Sequence, residues 1–212
     1  DASFVRAEAE GTSAVLTVEA RRDPMSIRAS TRLVLSLAVT VSLIACATRP
    51  PVSESEMARA AEALQPLKRE LRSALMGALK EGGPERAIEV CQLRAPEIAR
   101  LTSTGGALLG RTSHRLRNPA NAPEPWMSAF LEEYLSHPTD DEPRAVRLGS
   151  GEIGYVEPIR MKGVCMRCHG DRIEPGVKAQ LQALYPEDEA TGFKKGELRG
   201  MFWVKLWSDE SA

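Results

Sequence analysis

Apolar residues recur every three or four positions through Met57, Ala60, Leu64, Leu67, Leu71, Leu75 and Ala78, the spacing of one buried face on a long helix. Ser53 followed three residues later by Glu56 has the form of a capping box and predicts where that helix starts. Pro66 predicts a bend inside it. Gly82-Gly83 predicts its end, with Pro84 in the first turn of a second helix, where a missing N–H is tolerated. On that second helix Ala87, Ile88, Cys91 and Ala95 share a face, which turns Cys91 toward the core. Pro96 cannot donate to the Gln92 carbonyl, so the helix is expected to loosen just beyond Cys91 before ending at Gly105-Gly106. The stretch from Gly110 to Pro125, rich in Arg, Asn and Pro, reads as an ordered loop. Trp126, Phe130, Leu131, Tyr134 and Leu135 then form another amphipathic helix.

From Arg144 the period changes toward two. Ala145-Val146-Arg147-Leu148, the Gly149–Gly151 turn, and Ile153, Tyr155, Val156, Ile159 and Met161 predict two antiparallel strands. A short helix follows with Val177, Leu181 and Leu184, and Met201–Trp207 is the last strand, with Phe202, Val204 and Leu206 on one side. Helices first and an antiparallel sheet afterwards predict an α+β fold.

The N-terminal part changes the domain picture. Met25 opens a segment with Arg28 and Arg32 followed by an apolar run from Leu33 to Ala45, the order of an export signal and shorter than the roughly 20 residues of a spanning helix. It ends Leu43-Ile44-Ala45-Cys46, which resembles a bacterial lipobox and makes Cys46 the expected lipidated first residue of the mature chain. Residues 1–24 then read as an extension upstream of the true start, 25–45 as a lipoprotein signal peptide, 46–52 as a linker holding Pro50-Pro51, and 53–212 as the functional domain. The expected location is periplasmic, tethered by acyl chains, with the outer membrane weakly preferred because Ala47 is not an acidic retention residue. The 212 residues carry 28 Lys+Arg against 29 Asp+Glu, a net charge of -1, so the basic excess with which nucleic-acid binders displace counterions is missing.

The chemistry lies in Cys165-Met166-Arg167-Cys168-His169, the attachment sequence of c-type haem. Two thiols at this spacing add to the two vinyl groups of one haem, and the adjacent imidazole coordinates the iron from the same side. A zinc site would need two further ligands at finger-like spacing, which the chain lacks. A thioredoxin-like pair would sit in a βαβ unit, and a plain disulfide would leave His169 idle. With Cys46 assigned to lipid, Cys91 remains unassigned: a small buried hydrophobe, or the sixth ligand of the iron. His114, His137, Met76, Met127, Met161 and Met201 compete for that position. A thioether there raises the potential, whereas an anionic thiolate stabilises ferric iron and lowers it. Arg111, Arg117 and Asn118 either hydrogen-bond the haem propionates or pin their own loop. Tyr155 and Trp203 either pack on the porphyrin or belong to the core.

Several stretches together resemble a family of exported single-haem c-type proteins with a PAS-like haem domain proposed to sense redox state. They are Ala87–Cys91 with Ala95-Pro96, Gly110–Ser113, Arg117-Asn118-Pro119 with Asn121, Cys165–Gly170, Tyr185-Pro186, Asp188, Ala190-Thr191-Gly192, Gly196 and Arg199-Gly200. The resemblance implies a PAS-like sheet and axial ligation by His169 and Cys91. It further implies one covalent haem c, one-electron transfer or redox sensing at low potential with an unidentified redox partner protein, and no enzyme activity, since a six-coordinate iron offers a substrate no open position. Two rivals stand beside it: a CO or NO sensor in which Cys91 leaves on reduction, and a haem-free adaptor with Cys165 and Cys168 disulfide-bonded.

Overall fold

The computed structural model describes residues 49–149 and 151–207, so the upstream extension, the export signal and the lipidation of Cys46 lie outside the described residues. The first element, α1 (Glu54–Thr102), begins as the capping pattern predicts. Ser53 Oγ accepts the Glu56 N–H at 3.3 Å, and Glu56 Oε2 accepts the Ser53 N–H at 2.8 Å. Backbone geometry inside α1 departs from helical only at Gly82 and Gly83, so the element is two helical arms joined at this pair. Pro66 and Pro96, where a bend and a loosening are expected, both keep helical backbone angles. Each proline lacks one N–H bond, but Leu64 and Leu67 flank the first in the core and Ala95 and Ile98 flank the second, and this packing holds the backbone helical.

Four strands, β1 (Ala107–Thr112), β2 (Arg144–Arg147), β3 (Ile153–Arg160) and β4 (Leu198–Leu206), form one antiparallel sheet in the order β1-β4-β3-β2. The helices α2 (Pro125–Ser136), α3 (Met166–His169) and α4 (Pro175–Leu184) lie between them in sequence. The fold is α+β, as the pattern predicts, and Ala47–Ala212 forms one compact unit.

β1 corrects the sequence reading, because Gly110–Thr112 is strand rather than loop. Gly110 disguised it, since glycine is depleted in strands. It is required there because β4 places Trp203 opposite, and a Cβ on residue 110 would stand 2.4 Å from the indole. Gly154 on β3 makes the same allowance for Trp126, whose ring would be 2.7 Å from an added Cβ. β4 also begins earlier than expected, at Leu198 rather than Met201.

Both faces of the sheet are covered. Leu109, Tyr155 and Val204 stand in register and pack with Ala60, Leu64 and Leu67 of α1, while Met127, Leu131 and Tyr134 of α2 cover Val156 and Met201 on the other face. Each fully buried large apolar side chain contributes about 1.5–3 kcal/mol, so these two clusters dominate the stability. Side chains alternate along a strand, so Arg111, two residues beyond Leu109, emerges on the α1 face at the end of the core. Trp203 is on the α2 face, away from Arg111, and Tyr155 is core with its hydroxyl on Glu157 Oε1 at 2.9 Å.

Candidate functional site

After β3 the chain makes a single 3-10 turn, Gly163–Cys165, and runs into α3, which holds the rest of the attachment sequence. Cys165 Sγ accepts the Lys162 N–H at 3.4 Å, and its side chain packs toward Met161, Ala190 and Phe193. Cys168 points the other way, into a cluster of Ile88 from α1 with Val177 and Leu181 from α4. α4 is bound to the second arm of α1 through Gln92 Nε2 on the Leu184 carbonyl and Gln180 Nε2 on Glu89 Oε1, both 3.0 Å. Cys91 lies one helical turn after Ile88, so the arm that covers Cys168 also carries Cys91 to it. The two thiols are close enough that a charge on Cys91 raises the Cys168 thiol's pKa. Cys91, Cys165 and Cys168 are all free and partly buried, so no disulfide joins the attachment pair.

His169 is fixed by its backbone surroundings. Its Nδ1 lies 2.7 Å from the Ala190 carbonyl oxygen. A carbonyl only accepts, so Nδ1 carries the proton and Nε2 keeps its lone pair. Nε2 has no hydrogen bond among the described residues. Burial, and then the guanidiniums of Arg117, Arg199 and Arg111, hold the imidazole well below its ordinary pKa, so it is neutral at pH 7. This is the tautomer and charge state of an iron ligand.

The segment Asp188–Phe193 clasps this histidine. Phe193 N donates to the His169 carbonyl at 2.9 Å and Gly192 N to the Gly170 carbonyl at 2.8 Å. The Phe193 ring meets the imidazole edge-on at 6.4 Å and meets His114 likewise at 5.8 Å.

Of the three residues predicted to face haem propionates, two make hydrogen bonds within the protein. Asn118 Oδ1 accepts the Ala120 N–H at 3.0 Å and caps the 3-10 turn Pro119–Asn121. Arg117 donates to Asp188 at 3.1 and 3.0 Å, to the Cys168 carbonyl at 2.5 Å and to the Ala190 carbonyl at 3.2 Å. Arg111 makes no hydrogen bond or ion pair among the described residues. Its surroundings are Cys91 and Tyr185, and burial pushes its guanidinium below the ordinary value. Burial pushes the Cys91 thiol up, with Arg111 and Arg117 acting against it.

Arg199, which the sequence alone left without a role, bonds among the described residues to Ser113 Oγ at 2.9 Å and the Arg115 carbonyl at 3.2 Å. Desolvation, and then repulsion from Arg117 and Arg111, lowers its pKa to about 10. Three guanidiniums thus converge on His169, and the carboxylate among them, Asp188, is paired to Arg117. Such a site attracts anions.

Of the remaining candidates for the sixth position, Met161 and His114 border the site through Phe193, and the others lie away from it. Met127, Met161 and Met201 are buried in the core, Met76 is half exposed, and His137 is exposed with Nδ1 3.0 Å from the Glu133 carbonyl at the end of α2. His114 is partly buried beside Phe193, and its Nδ1 has no partner among the described residues. Among those residues no group of three or more His, Cys, Asp or Glu side chains is arranged to hold a metal by itself. No described helix is long and apolar enough to cross a membrane.

The residues present fit a c-type haem on structural grounds: two free thiols, a neutral imidazole with a free Nε2, a third thiol carried to them, and surplus positive charge for two carboxylates. The profile of the Tll0287-like family matches residues 6–206 of the sequence. The chain belongs to the Tll0287-like family. The crystal structure of the cyanobacterial haem protein Tll0287 is similar to this chain at a TM-score of 0.53 and 23% identity, covering 74% of this chain and 97% of that one. At this identity the likeness establishes a shared fold. No protein of curated function matches the sequence.

Proposed function

We propose that this member of the Tll0287-like family is a lipid-anchored periplasmic c-type cytochrome with one covalent haem in a PAS-like domain. Its role is one-electron transfer or redox sensing at low potential, without enzyme activity. The observation that carries the reading is that the second arm of α1, which bears Cys91, packs through Ile88 against Cys168, the residue before His169. His169 and Cys91, one from each segment, would ligate the iron of a haem held there. That Tll0287, which shares the fold, is a haem protein supports the reading.

Cys165 and Cys168 hold the group. They would do so through thioether bonds to its two vinyl groups, a thiol addition that consumes no oxidant or reductant. His169 Nε2 and Cys91 Sγ would ligate the iron of the bound haem, which would supply a centre that exchanges one electron. The Ala190 carbonyl holds the His169 ring, and its hydrogen bond increases the basicity of Nε2. Cys91 binds as thiolate, with Arg111 as the nearest positive charge, and the anionic sulfur favours the ferric state. Arg111, which makes no hydrogen bond or ion pair among the described residues, would be the guanidinium left to meet a propionate.

Absorption and electron paramagnetic resonance spectra of the oxidised and reduced protein test the ligand set. Low-spin ferric signals with thiolate character are expected, and high-spin or bis-nitrogen spectra would contradict it. For the anchor, radiolabelled fatty acid should enter the wild-type chain and not Cys46→Ser; equal labelling would refute lipidation at Cys46.

A further inference from the structure

Arg117 bonds to three groups around His169 but not to the imidazole itself. Its Nη2 donates to the carbonyl of Cys168, the residue before the histidine, at 2.5 Å, and to the carbonyl of Ala190 at 3.2 Å. That second carbonyl is the acceptor of the His169 Nδ1–H. Its Nε meets Asp188 Oδ2 at 3.1 Å, while Asp188 Oδ1 accepts the Ala190 N–H at 2.8 Å. One planar guanidinium therefore ties three points together: the backbone entering the histidine, the carbonyl that receives its proton, and the carboxylate that shapes the turn presenting that carbonyl. Arg117 and Asp188 are both largely buried, with 13% and 8% of their side chains exposed, and the pair is held by bonds at both ends.

A guanidinium does this and an ammonium does not, because its donors are rigid and coplanar. The Glu189 N–H on the Leu116 carbonyl at 2.8 Å and Arg115 Nε on the Glu189 carbonyl at 3.1 Å fasten the same two segments on the outer side. Removing Arg117 thus leaves the two segments of the site connected while freeing the Ala190 carbonyl to turn.

We propose that Arg117, braced by Asp188, is a positioning residue that sets the ring orientation of the axial histidine and the strength of its Nδ1 hydrogen bond, rather than a propionate ligand. Ala190 O divides its two lone pairs between a cation and the imidazole N–H. Taking the cation away strengthens the imidazole bond and removes a positive charge near the iron, and both changes favour the ferric state. This rests on the haem reading of the site. Arg94, exposed and paired to Glu97 on α1, is the control position.

The test uses Arg117→Gln, Arg117→Lys, Asp188→Asn and Arg94→Gln in the haem-loaded chain. Covalent haem is scored first by mass. Loaded chains are then compared by g values of the ferric form, haem-methyl NMR shifts, which report the imidazole plane, and midpoint potential. Arg117→Lys keeps the charge and loses the fork, so the inference expects changed g values and methyl shifts in both Arg117 variants, with the potential lowered in Arg117→Gln. Asp188→Asn should give a smaller change in the same observables, and Arg94→Gln none. Wild-type g values and methyl shifts in Arg117→Lys would overturn it. Should only Arg117→Lys accumulate, that variant alone decides. A wild-type chain that takes no covalent haem would instead refute the haem reading, a result distinct from any outcome among loaded variants.

Discussion

Replacing Gly110 by alanine tests why β1 sits where it does. The added Cβ would stand 2.4, 2.5 and 2.7 Å from Cζ2, Cε2 and Nε1 of Trp203, against the 3.5–4.0 Å of an unstrained carbon contact. The indole cannot swing freely, because β4 is central in the sheet and Trp203 packs with the α2 cluster. Overpacking of this kind costs about 1–3 kcal/mol. Gly110 does not have positive φ, so alanine adds no backbone strain and returns about 0.4–1 kcal/mol through the unfolded chain. A net loss of about 1–2 kcal/mol remains, or roughly 2–8 °C in Tm for a domain of this size. Circular dichroism melts of wild type, Gly110→Ala, Trp203→Leu and the double variant measure it. The double variant should fall short of the sum of the two losses by more than about 0.5 kcal/mol, since the clash vanishes with the ring. A Tm for Gly110→Ala equal to or above wild type would refute the contact.

Replacing Cys91 by methionine should retain covalent haem and raise the midpoint potential, since a thioether replaces a thiolate; an unchanged potential and spectrum would take Cys91 off the iron. Glu56, bonded to the Ser53 N–H and to Arg147 at 2.8 and 2.9 Å, has its pKa lowered from 4.5 to about 2. A lowered folded-state pKa stabilises fully above 4.5 and is lost as the pH falls through 2, worth about 1–2 kcal/mol after allowance for its partial exposure. Glu56→Gln should therefore flatten the fall of Tm between pH 5 and 2.5, and an unaltered slope would contradict this. Asn118→Ala should lose the cap of the 3-10 turn, lowering stability by about 0.5–1 kcal/mol with covalent haem retained in full; loss of haem would instead assign Asn118 to the cofactor.

The helices, the Gly149–Gly151 hairpin and the attachment sequence were legible because each depends on residue type and spacing. Apolar residues three and four apart have one helical solution, and two thiols with an adjacent imidazole at this spacing form a short local motif. β1 was illegible for a local reason: its glycine answers a tryptophan far along the chain, so nothing nearby announces it. Arg117 was legible as a cation near the site but not as a clamp, because two of its acceptors are backbone carbonyls, which every residue carries. Arg199 and Asp188 were visible only as parts of a resemblance, and what they do depends on which charges the fold leaves unpaired. Pro66 and Pro96 keep helical backbone angles, because the local penalty of a missing hydrogen bond is smaller than the burial on either side.

Whether a porphyrin is covalently joined to this chain decides everything built on the Cys165–His169 segment. Expressed in a host that attaches haem to exported proteins, purified and unfolded in acid, the wild type should retain one haem per chain by mass and give the pyridine haemochrome spectrum of a porphyrin without vinyl groups. Cys165→Ser/Cys168→Ser should lose it. A wild-type chain of unmodified mass, with any haem extracted by acidified solvent, would contradict the assignment.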